Sequence, residues 1–180
     1  TFLFTDVRGF TSLSETLEPE EVTYIMNKAL TAQVKAVQKH GGMVDKFIGD
    51  ALMAIFGAPI DLEQHEQKAY ECAIDIKNNM IELNKELIDQ GIDPIQIGIG
   101  INTGNAIVGN MGSETRFDYT AIGDAVNVAS RICDACKQFD TNFLVSSTLS
   151  EHIDTDKNLK LHKDFEVRGR SEKIDLMKVY

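Results

Sequence analysis

Hydrophobic and polar positions follow two different periods along this chain. The opening segment TFLFTD is rich in β-forming residues and ends at Asp6, which predicts a strand that runs into a turn. Apolar residues then recur every three or four positions between Val22 and Val37, and the pattern stops at Gly41 and Gly42. This spacing predicts an amphipathic helix with one face in the core.

A hairpin and a second long helix follow. Two strand-like runs, MVDKFI and ALMAIF, flank Gly49 and Asp50, which predicts a β-hairpin with Asp50 at its tip. An apolar stripe under a charged surface predicts a helix from about Glu63 to Gln90, ended by Gly91. PIQIGIGINTG predicts a buried strand, with NAIVGNMG as its continuation or hairpin partner.

The remaining segments complete the list of predicted elements. AIGDAVNVASRICDAC predicts a helix with small residues on one side, followed by a short strand (FLVSS), a short helix (TLSEHI) and a closing strand pair. The order β-α-β-β-α-β predicts an α+β fold with a ferredoxin-like core: an antiparallel sheet, helices on one face, and additional C-terminal strands. No repeat or linker interrupts the chain, so we expect residues 1–180 to form a single domain.

Composition and charge narrow the class of protein. The chain is 43% hydrophobic and 26% charged, which is typical of a soluble domain with one core. The net charge of −10 would repel a polyanion, so we expect no nucleic-acid partner. Without a long apolar run or a signal peptide, the chain is expected to be a cytoplasmic domain, whether or not its parent protein is membrane-anchored. Because it opens directly in a strand, we also expect a longer polypeptide with an upstream regulatory domain.

The three cysteines do not suggest a disulfide framework. Cys72, Cys133 and Cys136 are odd in number, which favours reduced thiols. Cys133 and Cys136 form a CxxC, but no second CxxC or histidine pair completes a zinc site. Helix packing is therefore the favoured role of this pair.

Two aspartates are candidates for metal-assisted phosphoryl transfer. Asp6 ends the first strand and Asp50 lies at the hairpin tip, and these strands are usually neighbours in a split β-α-β fold. Their carboxylates can then converge on a two-metal site. The following VRGFT segment offers backbone N–H groups and the hydroxyl of Thr11 to phosphates. Each aspartate alone could equally cap a helix or fill a turn.

Five segments, spread in order over nearly the whole chain, carry a more specific pattern. They are LFTDVRGFT, DKFIGDALMAIFG, GINTG with VGNMGS, DYTAIGDAVNVASR and a late VRG. Together they resemble the motif set of the class III nucleotidyl cyclases. The Lys46 and Thr120 pair is similar to that of bacterial and cyanobacterial-type adenylate cyclases.

The resemblance implies a head-to-tail homodimer with composite ATP sites. One chain would bind two Mg²⁺ or Mn²⁺ ions through Asp6, Asp50 and the backbone carbonyl of Val7, with substrate contacts from Gly9, Phe10 and Thr11. The other chain would read adenine with Lys46 and Thr120, orient the ribose with Asn127, stabilise the α-phosphate with Arg131 and hold the terminal phosphates with Arg168.

Base choice follows from hydrogen-bond polarity. Adenine offers an acceptor at N1 and a donor at N6, which a lysine ammonium and a threonine hydroxyl can meet, whereas guanine offers the reverse. Guanylate cyclases resemble this pattern with an acidic residue in place of Lys46, so Lys46 favours ATP. The threonine at position 120 is similar to a branch in which bicarbonate stimulation is sometimes found, so bicarbonate activation is also expected.

Several points stay open at this level. Asn105 stands where some relatives carry a phosphate-binding arginine; Arg8 could compensate, or it could be a solvated surface charge. Phe117 and Tyr119 could reach a partner chain or pack in their own core. Another palm-like enzyme, such as a polymerase or diguanylate cyclase, is disfavoured by the acidic charge and the absence of a GGDEF-like string. A degenerate, binding-only domain is disfavoured because the metal aspartates and the Asn/Arg pair are all present.

Overall fold

The computed structural model of the chain describes residues 1–156, 158–167 and 172–180. The strands are β1 (Phe2–Arg8), β2 (Met43–Ile48), β3 (Ala51–Ile55), β4 (Gln96–Asn102), β5 (Ile107–Gly112), β6 (Phe117–Ile122), β7 (Phe143–Ser146), β8 (Leu159–Phe165) and β9 (Ile174–Val179). The helices are α1 (Phe10–Thr16), α2 (Pro19–Lys39), α3 (His65–Asp89), α4 (Asp124–Ala135) and α5 (Ser147–Ser150).

Seven strands form the main sheet, in the order β2-β3-β1-β4-β7-β9-β8. Its neighbours are antiparallel except for the parallel pair β4 and β7. The predicted α+β fold with an antiparallel sheet and C-terminal strands is confirmed. However, NAIVGNMG does not extend or pair with β4, because both edges of β4 are occupied by β1 and β7. It forms β5, which pairs with β6 in a separate hairpin.

Alternate residues of β1 face opposite sides of the sheet, and each side is covered by different helices. Leu3 and Val7 belong to the larger core, to which α2 and α3 contribute their buried faces. Phe2 and Phe4 belong to a second cluster with buried residues of α4. The prediction of helices on one face therefore applies to α2 and α3, while α4 covers part of the opposite face.

The close contact between α4 and β4 depends on the absence of a side chain at Gly100. A Cβ atom there would lie 2.2 Å from the backbone nitrogen of Cys133 and 2.7 Å from the carbonyl oxygen of Ala129. Only glycine permits this approach of helix backbone to strand backbone. The distance between α4 and the sheet is thus fixed by main-chain contact.

The CxxC cysteines belong to the same interface. The Sγ atoms of Cys133 and Cys136 donate to the carbonyl oxygens of Gly98 and Ile99, at 3.4 and 3.3 Å. Burial raises the pKa of Cys136 to about 11 and that of Cys133 well above its ordinary value. Both thiols are protonated packing groups at neutral pH, because the reactive form is the thiolate.

The described ranges also lack two features. They contain no helix that combines the length and the apolar character needed to cross a bilayer. They also contain no cluster of three or more His, Cys, Asp or Glu side chains able to hold a metal ion. A metal ion bound by fewer of these side chains would also need other ligands, such as backbone carbonyls, water or substrate.

Candidate active site

The sheet register brings the two candidate aspartates together. β1 pairs with β3 so that Thr5 lies opposite Leu52, and continuing this register places Val7 opposite Asp50 at the start of the β2–β3 turn. Asp6 and Asp50 lie close enough for the charge of the Asp6 carboxylate to raise the pKa of Asp50. Two carboxyl groups distant in sequence therefore meet at one end of the central strands.

The electrostatics of this pair suit a bound cation. Partial burial raises the pKa of Asp50, and the neighbouring Asp6 charge raises it further, whereas backbone N–H groups at Asp50 and Val7 lower it. Two carboxylates in contact resist ionising together unless a positive charge lies beside them. Carboxylate oxygens are also the ligands that Mg²⁺ and Mn²⁺ prefer. The donor set therefore fits a divalent metal.

A lysine that sequence reasoning missed lies beside the pair. Lys137, just after α4, places its Nζ atom 3.3 Å from Oδ2 of Asp6. The two side chains are 59% and 27% exposed, so this ion pair contributes little to stability. The contact arises because the end of α4 lies over β1, which could not be predicted from the sequence.

The segment after Asp6 turns sharply into α1. Gly9 has φ of 71°, in the left-handed region that favours glycine, and precedes the first helical residue, Phe10. Phe10 is partly buried and packs against the larger core, so its ring has a structural role beside any contact with substrate. The side chain of Thr11 lies outside the described part of the structure.

Lys46 and Thr120 come together around a carboxylate that was not predicted. The hydroxyl of Thr120, on β6, donates to Oδ2 of Asp45 at 2.9 Å. Nζ of Lys46, on β2, lies 3.4 Å from the same oxygen. The predicted base-reading pair is therefore assembled within one chain, with Asp45 between its members.

Asn127 and Arg131 lie one turn apart on the exposed face of α4. The residues between and after them, Val128, Ala129 and Ile132, are buried against the sheet. Nη1 of Arg131 is 3.4 Å from Oδ2 of Asp134, and both side chains are about half exposed. Within the described residues, neither Asn127 nor Arg131 forms a hydrogen bond or ion pair with Asp6 or Asp50. No bond among the described residues therefore joins the two groups of predicted catalytic residues within one chain.

The structure describes only one of the two arginines that the sequence suggested as phosphate ligands. Arg168 lies outside the described residues. Arg8 directs its guanidinium to the carbonyl oxygen of Thr141, between α4 and β7, and its Nε is buried without a partner in the described part of the chain. Arg8 is therefore not a solvated surface charge, because its hydrogen bond ties β1 to this loop. Its contribution to phosphate binding stays a prediction. Asn105, in the β4–β5 connection, is exposed.

The β5–β6 hairpin exposes large apolar side chains on both of its faces. Phe117 and Tyr119 are 61% and 40% exposed, and Ile107 and Ile122 are 73% and 58% exposed. The aromatic residues therefore do not pack in their own core. The register pairs Ile107 with Ile122 on one face of the hairpin, whereas Phe117 and Tyr119 lie on the other face. Large apolar side chains exposed in this way are typical of a segment that contacts another protein.

The similarity to known proteins extends over the whole chain. Residues 1–180 match the family described as adenylate and guanylate cyclase catalytic domain. The adenylate cyclase of Anabaena cylindrica is 37% identical over 183 residues, which is 99% of this chain and 36% of that protein. Adenylate cyclase 1 of Rhizobium meliloti is 31% identical over 179 residues, covering 99% of this chain and 27% of the relative. The chain thus spans about a third of the length of these relatives.

Solved structures show the same similarity. The crystal structure of the adenylyl cyclase CyaB from P. aeruginosa has a TM-score of 0.90 and 35% identity, covering 99% of this chain and 92% of that chain. The crystal structure of the guanylyl cyclase Cya2 has a TM-score of 0.89 and 32% identity, covering 99% and 89%. The chain therefore belongs to the class III nucleotidyl cyclases, the family of adenylate and guanylate cyclase catalytic domains.

Proposed function

We propose that residues 1–180 form one adenylate cyclase catalytic domain, which converts ATP into 3′,5′-cyclic AMP and pyrophosphate in cAMP signalling. Overall similarity does not distinguish ATP from GTP as the substrate, because an adenylyl cyclase structure and a guanylyl cyclase structure match almost equally well. The observation that carries the choice is the Lys46 ammonium beside the Thr120 hydroxyl, a donor and an acceptor for the adenine edge. The relatives named adenylate cyclase support it.

Asp6 and Asp50 are proposed to hold two Mg²⁺ or Mn²⁺ ions, with the Val7 carbonyl as a further ligand. Such ions are commonly bound by one or two carboxylates together with substrate phosphates, so the absence of a larger ligand cluster among the described residues is no obstacle. Bound there, the ions would lower the pKa of the ribose 3′-hydroxyl and neutralise charge on the departing pyrophosphate.

The remaining site residues position the substrate and stabilise charge. Asn127 would hold the ribose so that the ribose 3′-oxygen lies in line with the α-phosphorus. Fixing this orientation lowers the entropic cost of reaching the transition state. Arg131 would donate to the α-phosphate oxygens that gain charge in the transition state. The terminal phosphates would be held by Arg168 and by the turn formed by Gly9, Phe10 and Thr11.

A homodimer with shared sites would explain why no bond among the described residues joins the two groups of predicted catalytic residues within one chain. Among the described residues, Asp6 and Asp50 form no hydrogen bond or ion pair with Asn127 or Arg131, and the β5–β6 hairpin exposes large apolar side chains on both of its faces. Head-to-tail pairing would bring the carboxylates of one protomer to the α4 face of its partner. Because the chain covers only part of its relatives, we also propose an upstream regulatory domain. A cytoplasmic location would give the domain access to ATP.

The test is to incubate the purified chain with ATP or GTP and either Mg²⁺ or Mn²⁺ over a range of protein concentrations. We expect cyclic AMP from ATP and much less cyclic GMP from GTP. Activity per protomer should rise with protein concentration, because only the dimer contains complete sites. Failure to form cyclic AMP at any concentration, with either metal, would refute the proposal.

Bicarbonate stimulation is the proposed regulatory property of the Thr120 variant of the site. We expect a higher rate with sodium bicarbonate than with the same concentration of sodium chloride at one fixed pH. Holding pH and ionic strength constant separates a specific effect from titration and screening. Equal rates in the two salts would remove bicarbonate from the list of effectors.

A further inference from the structure

Asp45 is a buried carboxylate next to two residues that are proposed to touch the substrate. Its side chain has no solvent exposure, whereas that of Lys46 is 39% exposed. Oδ2 accepts from Thr120 and lies near Lys46, while Oδ1 is buried without a hydrogen-bond partner in the described part of the chain. Burying a carboxylate that is only half satisfied is costly, so stability alone gives no reason for an aspartate at this position.

A β-bulge explains why two consecutive residues reach one place. β2 and β3 pair Val44 with Ala54 and Lys46 with Met53, so Asp45 is the extra residue and has no partner on β3. A bulge interrupts the alternation of side chains and re-aims one of them. Here it brings the ammonium of Lys46 close to Oδ2 of Asp45, the same oxygen atom that accepts from Thr120.

The hydrogen bond between Thr120 and Asp45 has only one possible direction. A carboxylate accepts hydrogen bonds and does not donate them, so the Thr120 hydroxyl must donate its single hydrogen to Oδ2. The Thr120 oxygen can then take part in further hydrogen bonds only as an acceptor, through its lone pairs. A free threonine hydroxyl would rotate and serve equally as donor or acceptor.

We propose that Asp45 is a positioning residue that sets base selectivity, by making Thr120 a pure acceptor and by anchoring the Lys46 ammonium beside it. The site then presents one fixed donor and one fixed acceptor. Adenine, with an acceptor at N1 and an amino donor at N6, satisfies both groups; guanine, with a donor at N1 and a carbonyl at O6, opposes both. This inference rests on the proposed function.

The test compares kcat/KM for ATP and GTP in Asp45→Ala and Asp45→Asn. Alanine frees the Thr120 hydroxyl to donate to a guanine carbonyl, and asparagine removes the charge and adds a donor of its own. For each variant we expect the ratio of kcat/KM for ATP to that for GTP to fall by about tenfold, the effect of one misdirected hydrogen bond. Asp93→Ala, in the exposed α3–β4 loop, is the matched control and should leave the ratio unchanged.

Coupling with Thr120 separates positioning from general damage. In a Thr120→Val background, Asp45→Ala should lower the ratio less than it does in the wild type, because the hydroxyl it orients is gone. Thr120→Ser keeps the hydroxyl and should keep the ratio. If Asp45→Ala fails to fold in thermal melts, the near-isosteric Asp45→Asn decides.

Two outcomes would count against Asp45. An unchanged ATP-to-GTP ratio in folded variants, or an equal loss of kcat/KM for both nucleotides, would mean that Asp45 supports the fold without setting selectivity. Failure of the proposed function looks different, because the wild-type chain itself would then form no cyclic nucleotide.

Discussion

Asp50→Ala and Arg131→Ala are each expected to lower the rate of cyclic AMP formation by roughly a hundredfold to a thousandfold or more, because each removes a group that stabilises charge in the transition state. Mixed together, the two inactive variants should recover activity. In a mixed dimer, one site would combine the intact Asp50 of one protomer with the intact Arg131 of the other. Random pairing in a 1:1 mixture leaves about a quarter of all sites intact.

The matched control is a mixture of Asp50→Ala with Asp6→Ala. Both changes fall in the same half of the site, so every site of that mixed dimer lacks one carboxylate and no activity should return. Co-purification of differently tagged protomers establishes that mixed dimers form. Recovery in both mixtures, or in neither, would contradict a site shared between protomers.

Gly100→Ala is expected to destabilise the fold by about 3 kcal/mol or more, at the upper end of the cost of overpacking. The added Cβ would lie 2.2 Å from the backbone nitrogen of Cys133 and 2.7 Å from its Cα, and backbone atoms in a helix packed on a sheet cannot move aside. For a chain of this size, the melting temperature should fall by roughly 6 °C or more.

Gly98→Ala provides the control on the same strand. Its Cβ would have ordinary van der Waals contacts, the nearest at 3.4 Å from the carbonyl oxygen of Cys133, so the melting temperature should change little. Thermal and urea denaturation of both variants make the comparison. Equal stability of the two variants would mean that α4 can shift away from β4.

The fold could largely be predicted from the sequence because its main elements are strongly periodic. The stripes of α2 and α3 and the Gly49-Asp50 turn each point to one structure. The pairing of β5 could not be predicted, because it depends on whether the edges of β4 are free, and β7, which occupies one of them, follows much later in the chain. The close approach of α4 to the sheet depends in turn on Gly100.

Some residues of the candidate site could be predicted from the sequence, and others could not. Topology and motif spacing indicated Asp6 and Asp50, whose strands lie next to each other. Asp45 and Lys137 were missed because their roles depend on a register shift and on where a helix ends over the sheet. The hydrogen bond of Arg8 could not be predicted, because its partner, the carbonyl of Thr141, is a backbone atom from a distant segment.

The glycine contact under α4 also bears on how such a domain can be controlled. Because helix and strand backbones touch directly at Gly100, there is little compressible material there to absorb a displacement, so α4 and β4 should move as one rigid body. The carboxylates and the Asn127–Arg131 face then keep a constant spacing inside each protomer. We therefore expect an incoming signal to rotate one protomer relative to the other in the proposed dimer, while the internal structure of each protomer stays the same.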